Sequence, residues 1–236
     1  MALYSSVKVK HSRRKKIASV FSLIFIFSGT SILFWVLYPI LAFEFFYSPK
    51  FVKLLRPVPN EMIRQSLENE FSQVLGTTTT DYTKASVWFP KAINIKLAAT
   101  SSTYNLSIPK LRIINAIVSV GSEDLSKSLI HFTGPQPGNY GNPVIFGHST
   151  IPWLYNPQDY KTIFSKLPDL ERGDEITINA DNITYRYQVV DMRVTTPDDI
   201  SVLEQNYDSA YITLVTCVPP GTYLKRLIVK GKLVAG

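Results

Sequence analysis

The sequence predicts a mainly β domain, a barrel or sandwich of short strands, carried behind one N-terminal membrane helix and a stalk. Two observations predict it. Residues 17–43 form a run of 27 without a charged side chain. From Tyr104 onward, short stretches rich in β-branched and aromatic residues alternate with polar turns, the pattern of a barrel or sandwich. No internal repeat, heptad run or phosphate-binding glycine loop competes with that reading.

The first 16 residues are a basic tail. Six of the 25 Lys and Arg residues lie there, and no acid precedes Glu44, which leaves 19 basic against 18 acidic residues in the rest. The net charge of +7 therefore belongs to the tail and gives the folded part little surplus for a nucleic-acid surface. Residues 17–43 would make about 40 Å of helix at about 1.5 Å per residue, against a hydrocarbon core of about 30 Å. Bulky Leu41-Ala-Phe-Glu-Phe-Phe-Tyr47 follows, where a signal peptide would place small residues. An uncleaved, single-pass anchor is expected, with Trp35, Tyr38 and Tyr47 suited to the headgroup region. The positive-inside bias puts the tail in the cytoplasm and everything after residue 47 outside.

Residues 44–102 read as a stalk. Pro49, Pro57 and Pro59 break its start. Asn60 can cap an amphipathic helix over 61–75, with Ile63, Leu67, Phe71 and Val74 on one face and Gly76 at its end. Residues 77–80 and 99–103 read as connectors. Ser86-Val-Trp-Phe-Pro90 is apolar enough to pack on something, as an extra strand or a short helix.

The domain proper is expected over 103–236. Candidate strands are 103–108, 112–119, 143–147, 175–179, 183–194, 211–217 and 224–233. Two short helices fit between them, one over 123–129 capped by Ser122 and one over 160–166.

The only cysteine, Cys217, stands where a strand meets Val218-Pro-Pro-Gly221, a stretch that cannot continue a central strand. Arg226 lies on the strand that returns beside it. A cationic neighbour favours thiolate, the nucleophilic form. Pro143-Val-Ile-Phe-Gly-His148 likewise ends a short apolar strand at a reactive side chain, here an imidazole able to exchange protons near neutral pH. His11 belongs to the basic tail, and His131 sits among apolar residues as a structural histidine would. One cysteine and two outward-facing histidines supply no metal-ligand spacing, and no cofactor is expected. Oxygen ligands at Glu171, Asp174 and Glu175 leave calcium open, with a solvated turn the simpler reading.

Thr213-Leu-Val-Thr-Cys217 resembles the Thr-Leu-any-Thr-Cys signature of sortases, the membrane-anchored cysteine transpeptidases of bacterial surfaces. The resemblance extends to Gly138-Asn-Tyr-Gly-Asn142 leading into Gly147-His148, to Leu170-Glu-Arg-Gly-Asp-Glu-Ile176 and to Arg226-Leu-Ile-Val229. It implies a closed barrel of about eight strands with short connecting helices. It also implies the catalytic residues His148, Cys217 and Arg226, and secreted substrates with a C-terminal signal like Leu-Pro-any-Thr-Gly. The acyl group would pass through a thioacyl enzyme to an amine of the cell envelope, anchoring proteins at the cell surface. Pilus-polymerising sortases often carry an Asp-Pro-aromatic lid and a second C-terminal span. Neither is found, which points to a single-pass enzyme of the housekeeping or class D and E kind. Two rival readings are a hydrolase using the same three residues with water as acceptor, and a non-catalytic tethered β-domain that binds extracellular peptides.

Overall fold

The computed structural model describes residues 13–51, 81–92 and 102–234. Its described residues fall into two compact units, one ending at Ala42 and the other running from Phe43. The first is a helix, α1 (Arg13–Ala42), in which Ala18–Tyr38 is long and apolar enough to cross a membrane.

The second unit is built on eight strands. They are β1 (Thr103–Ile108), β2 (Ile113–Val120), β3 (Leu129–Thr133) and β4 (Val144–Phe146), then β5 (Glu175–Ala180), β6 (Ile183–Thr195), β7 (Tyr211–Val218) and β8 (Lys225–Leu233). They close into a barrel in the order β1-β2-β3-β4-β7-β8-β6-β5. Two neighbouring pairs, β2 with β3 and β4 with β7, are parallel, and the rest are antiparallel. The seven expected strands all form, with ends shifted by at most a residue or so. The fold is the closed, mainly β barrel that the sequence and its resemblance imply.

Strand alternation sorts the apolar residues into two layers. Leu106, Val118, Ile145, Ile212, Leu214 and Val229 fill the barrel interior. Ile130, Phe132, Phe146, Val215, Cys217 and Ile228 belong to a second, separate cluster on the outer face of β3, β4, β7 and β8. A strand apolar on both faces needs a cover on each. The outer cover comes from residues 81–92, which include a single 3-10 turn (Ala85–Trp88), and from a second such turn (Ile200–Leu203). Trp88 is wholly buried and Phe89 nearly so, each contributing about 1.5–3 kcal/mol of transfer free energy. Residues 81–92 of the expected stalk therefore pack on the barrel.

Both expected helices are replaced by turns. At 123–129 the Asp124 carboxylate accepts from the backbone N–H and the hydroxyl of Ser126, at 3.0 and 2.6 Å. That local ring takes the hydrogen bonds a helix start would need, and Leu129 opens β3, a strand not expected from the sequence. At 160–166 the backbone bonds run three residues back, as in Ser165 to Thr162 and Leu167 to Phe164, giving successive turns ahead of a 3-10 turn (Leu167–Asp169). The helix expected over 61–75 and the connector at 77–80 lie outside the described residues.

His131, on β3, is fully buried and structural. Its Nε2 faces the Thr133 carbonyl oxygen at 3.1 Å and its Nδ1 faces the Tyr104 hydroxyl at 3.2 Å. A neutral ring with hydrogen on Nε2 satisfies both. Burial pushes its pKa down to about 4, so the unfolded chain takes up this proton below about pH 6.5 and the folded chain only near 4. Stability is then expected to be complete above about pH 6.5 and to fall as pH drops toward 4, by up to about 3 kcal/mol. Thermal midpoints between pH 7 and 4 should fall less steeply in His131→Gln than in wild type; equal slopes would remove this account.

Candidate active site

β4 and β7 run parallel, with Phe146 paired to Val215. Two residues further on, His148 lies just past the end of β4 and Cys217 lies within β7. Three hydrogen bonds hold the strand ends together there. Gly147 N–H donates to the Val215 carbonyl (3.1 Å), the Thr216 hydroxyl to the Gly147 carbonyl (2.8 Å) and the Ser149 hydroxyl to the Cys217 carbonyl (2.7 Å). Gly147 is required at this crossing, since a side chain there would run into Phe164 and Leu129. Thr213, the other threonine of the strand, donates to Asn142 Oδ1 at 2.7 Å, and so fixes the start of β4 to β7.

Cys217 and Arg226 are direct partners across the antiparallel β7–β8 ladder. Directly opposed residues present their side chains on one face, here the outer one. The Arg226 guanidinium is buried, and its fork is held by main-chain carbonyls. Nη1 donates to Tyr223 at 2.9 Å and Nη2 to Trp88 at 3.0 Å. Among the described residues its buried Nε has no hydrogen-bond partner.

The sequence reading missed Trp88 as part of this site. Its ring centroid lies 5.6 Å from that of His148 and 5.4 Å from Arg226 Cζ, and its indole stacks on Phe146 at 5.4 Å. The segment carrying it is clasped by Tyr82, whose ring stacks on Tyr223 at 3.9 Å, and by backbone bonds from Ala85 to Glu123 and from Leu125 to Thr83. The apolar run Ser86-Val-Trp-Phe-Pro90 was the available signal. Its partner was not readable, because that partner is a surface assembled from four strands.

The cover sets the electrostatics. Cys217 is 1% exposed, and burial pushes its thiol up to about 11, the Arg226 charge pulling the other way without prevailing. The sequence expectation that the cation would favour thiolate fails for this covered state, since desolvation outweighs one charge. Burial also lowers the His148 pKa, against smaller opposing pulls from Asp124 and Asp81. In the covered state burial thus favours the neutral form of both the thiol and the imidazole. Among the described residues no group of three or more His, Cys, Asp or Glu side chains is placed to hold a metal ion. Glu171 and Asp174 share the Lys110 ammonium at 3.2 and 2.9 Å.

A family model described as the sortase domain matches residues 106–234, more than half of the chain. The chain belongs to the sortase family. Among curated sortases, it is 28% identical to sortase A of Bacillus anthracis over 182 residues, covering 72% of this chain and 83% of the relative. It is 28% identical to sortase D of Bacillus subtilis over 134 residues, a match that covers 55% of this chain and 62% of that protein's length. Solved sortases share the fold. Sortase C-1 of Actinomyces oris matches with a TM-score of 0.50 at 21% identity, covering 75% of this chain and 99% of that one. Sortase A of Corynebacterium diphtheriae matches at 0.50 and 22%, covering 75% and 94%. This sortase covers its Cys217 face with Val87-Trp88-Phe89, a stretch without the Asp-Pro-aromatic motif sought in the sequence.

Proposed function

We propose that this sortase is a membrane-anchored cysteine transpeptidase acting on secreted proteins with a C-terminal sorting signal similar to Leu-Pro-any-Thr-Gly. The observation that carries the reading is the convergence of His148, Cys217 and Arg226 at the adjoining ends of β4, β7 and β8, on one outer face. Residues 1–16 are the cytoplasmic tail, 17–43 the anchor and 103–236 the catalytic domain outside the cell. The intervening 44–102 connect them and include the cover.

The sorting peptide takes the shelf now occupied by Trp88 and Phe89, so the cover leaves before acylation. Opening returns water to Cys217 and His148, which lowers the thiol pKa and raises that of the imidazole. Cys217 passes its proton to His148, its sulfur attacks the threonine carbonyl, and the carbonyl electrons collect on the carbonyl oxygen. Arg226 stabilises that oxygen with the donors freed from the Trp88 carbonyl and with Nε. As the tetrahedral centre collapses, the scissile C–N bond breaks and His148 gives its proton to the departing glycine amine. An amine of the cell envelope then attacks the thioester, forms the new amide and releases the Cys217 thiol.

Product analysis separates transfer from hydrolysis. The full-length enzyme, given a sorting peptide with and without an added amine, is expected to form the amide adduct as its main product whenever amine is present. Free acid as the main product at saturating amine would replace this reading with the hydrolase.

A further inference from the structure

The stretch that follows α1 is part of the barrel unit. Phe43–Tyr47 forms one π-helical turn and Ser48–Phe51 one α-helical turn. Phe43 is 3% exposed and belongs to the barrel's main cluster, with Tyr47 and Phe51 packed against it. The Tyr47 hydroxyl donates to Asp169 at 3.0 Å, and the Glu44 carboxylate pairs with Lys225 at 3.2 Å. The three aromatic rings spaced four apart thus face the protein. Phe45 and Phe46, on the remaining side, are 74% and 71% exposed.

The covalent chain limits what can cover those two rings. Seven residue steps lead from Tyr38, the end of the candidate span, to Phe45. Even fully extended they reach only about 25 Å, and as helix about 10 Å. Phe43, seated in the barrel, is closer still. The covalent chain alone therefore keeps both rings within that reach of the end of the span. The exposed Lys50, with its Nζ 5.5 Å from the Tyr47 ring centre, adds a cation beside the aromatic rings. Exposed aromatic side chains with a flanking lysine suit the layer where acyl chains meet phosphates.

We infer that Phe45 and Phe46 insert into the lipid headgroup layer and that Phe43, Glu44 and Tyr47 hold the barrel to it, so that the Lys225 end of β8 faces the bilayer. This rests on the reading of residues 17–43 as a membrane anchor. Arg226 follows Lys225 directly and pairs with Cys217 across the ladder, so the reactive thiol works close to the membrane surface.

The test uses the full chain carrying Cys217→Ala, reconstituted in vesicles of equal parts phosphatidylcholine and phosphatidylglycerol. A single spin label is placed by Phe45→Cys or Phe46→Cys. Phe25→Cys, mid-span, and Asn182→Cys, in the turn at the other end of β6 from the Thr195–Arg226 pair, serve as references. Collisions with oxygen and with a water-soluble nickel chelate report depth. The labels at 45 and 46 are expected about 5–10 Å into the headgroup and acyl boundary, between a deep Phe25 label and a water-exposed Asn182 label. Labels at 45 and 46 as open to nickel as Asn182, beside a deep Phe25 label, overturn the inference and leave the anchor standing. A Phe25 label open to nickel removes the anchor itself and the inference with it.

Discussion

Trp88→Ala is expected to unmask the thiol. With the indole gone, water reaches Cys217 and the desolvation that holds its pKa near 11 relaxes toward the free value of about 8.5. At pH 7.5 the thiolate fraction then rises from about 3 × 10⁻⁴ to about 0.1. Alkylation of Cys217 by iodoacetamide should accelerate by at least about tenfold, and its pH midpoint should move down. Removing a buried tryptophan costs about 3–5 kcal/mol, so circular dichroism must first show the barrel intact. Tyr82→Ala gives a gentler version, because it removes only the stack on Tyr223 that clasps the segment. Unchanged alkylation in a folded Trp88→Ala protein would mean that the cover does not control access.

The second large effect concerns the three residues that converge on the outer face. Their proposed roles differ, so their substitutions should fail differently. His148→Ala should leave the thiol alkylatable yet slow acylation by about 10²–10⁴, the usual worth of a positioned acid. Arg226→Lys keeps the charge but cannot reach both the Tyr223 and Trp88 carbonyls with a planar fork. A lost oxyanion donor costs about 2.7–4 kcal/mol in a protease of known mechanism, so kcat/KM should fall more than tenfold. Near-wild-type turnover in either variant would remove that residue from the site.

Much of the barrel was legible because its strands follow elementary rules. β6 and β8 are long and bounded by turn residues, and β7 is a β-branched run halted by two prolines. Cys217, His148 and Arg226 could be singled out because each lies at or near a strand end, and the ladder then placed them together. What stayed hidden is non-local. β3 has only five residues, all buried, so no alternation marks it. The preceding Ser122-Glu-Asp looks like a helix cap until Asp124 closes its ring on Ser126. Trp88 and Phe89 announce burial, but nothing in their neighbourhood says that Trp88 lies against His148 and Arg226 and Phe89 against Phe146. The thiol's pKa follows from that missing contact, which is why the sequence pointed to thiolate and the covered state holds thiol.

Intact-mass spectrometry of the enzyme is the most direct test of the proposal that Cys217 carries the acyl group. The full-length protein is mixed with a sorting peptide without added amine and quenched in acid. It should gain the mass of the peptide's N-terminal acyl fragment, mapped to Cys217, and lose it on addition of an amine. The Cys217→Ala variant should gain nothing and leave the peptide uncut. Cleavage by Cys217→Ala at the wild-type rate, or acyl mass mapped to another residue, would contradict the account.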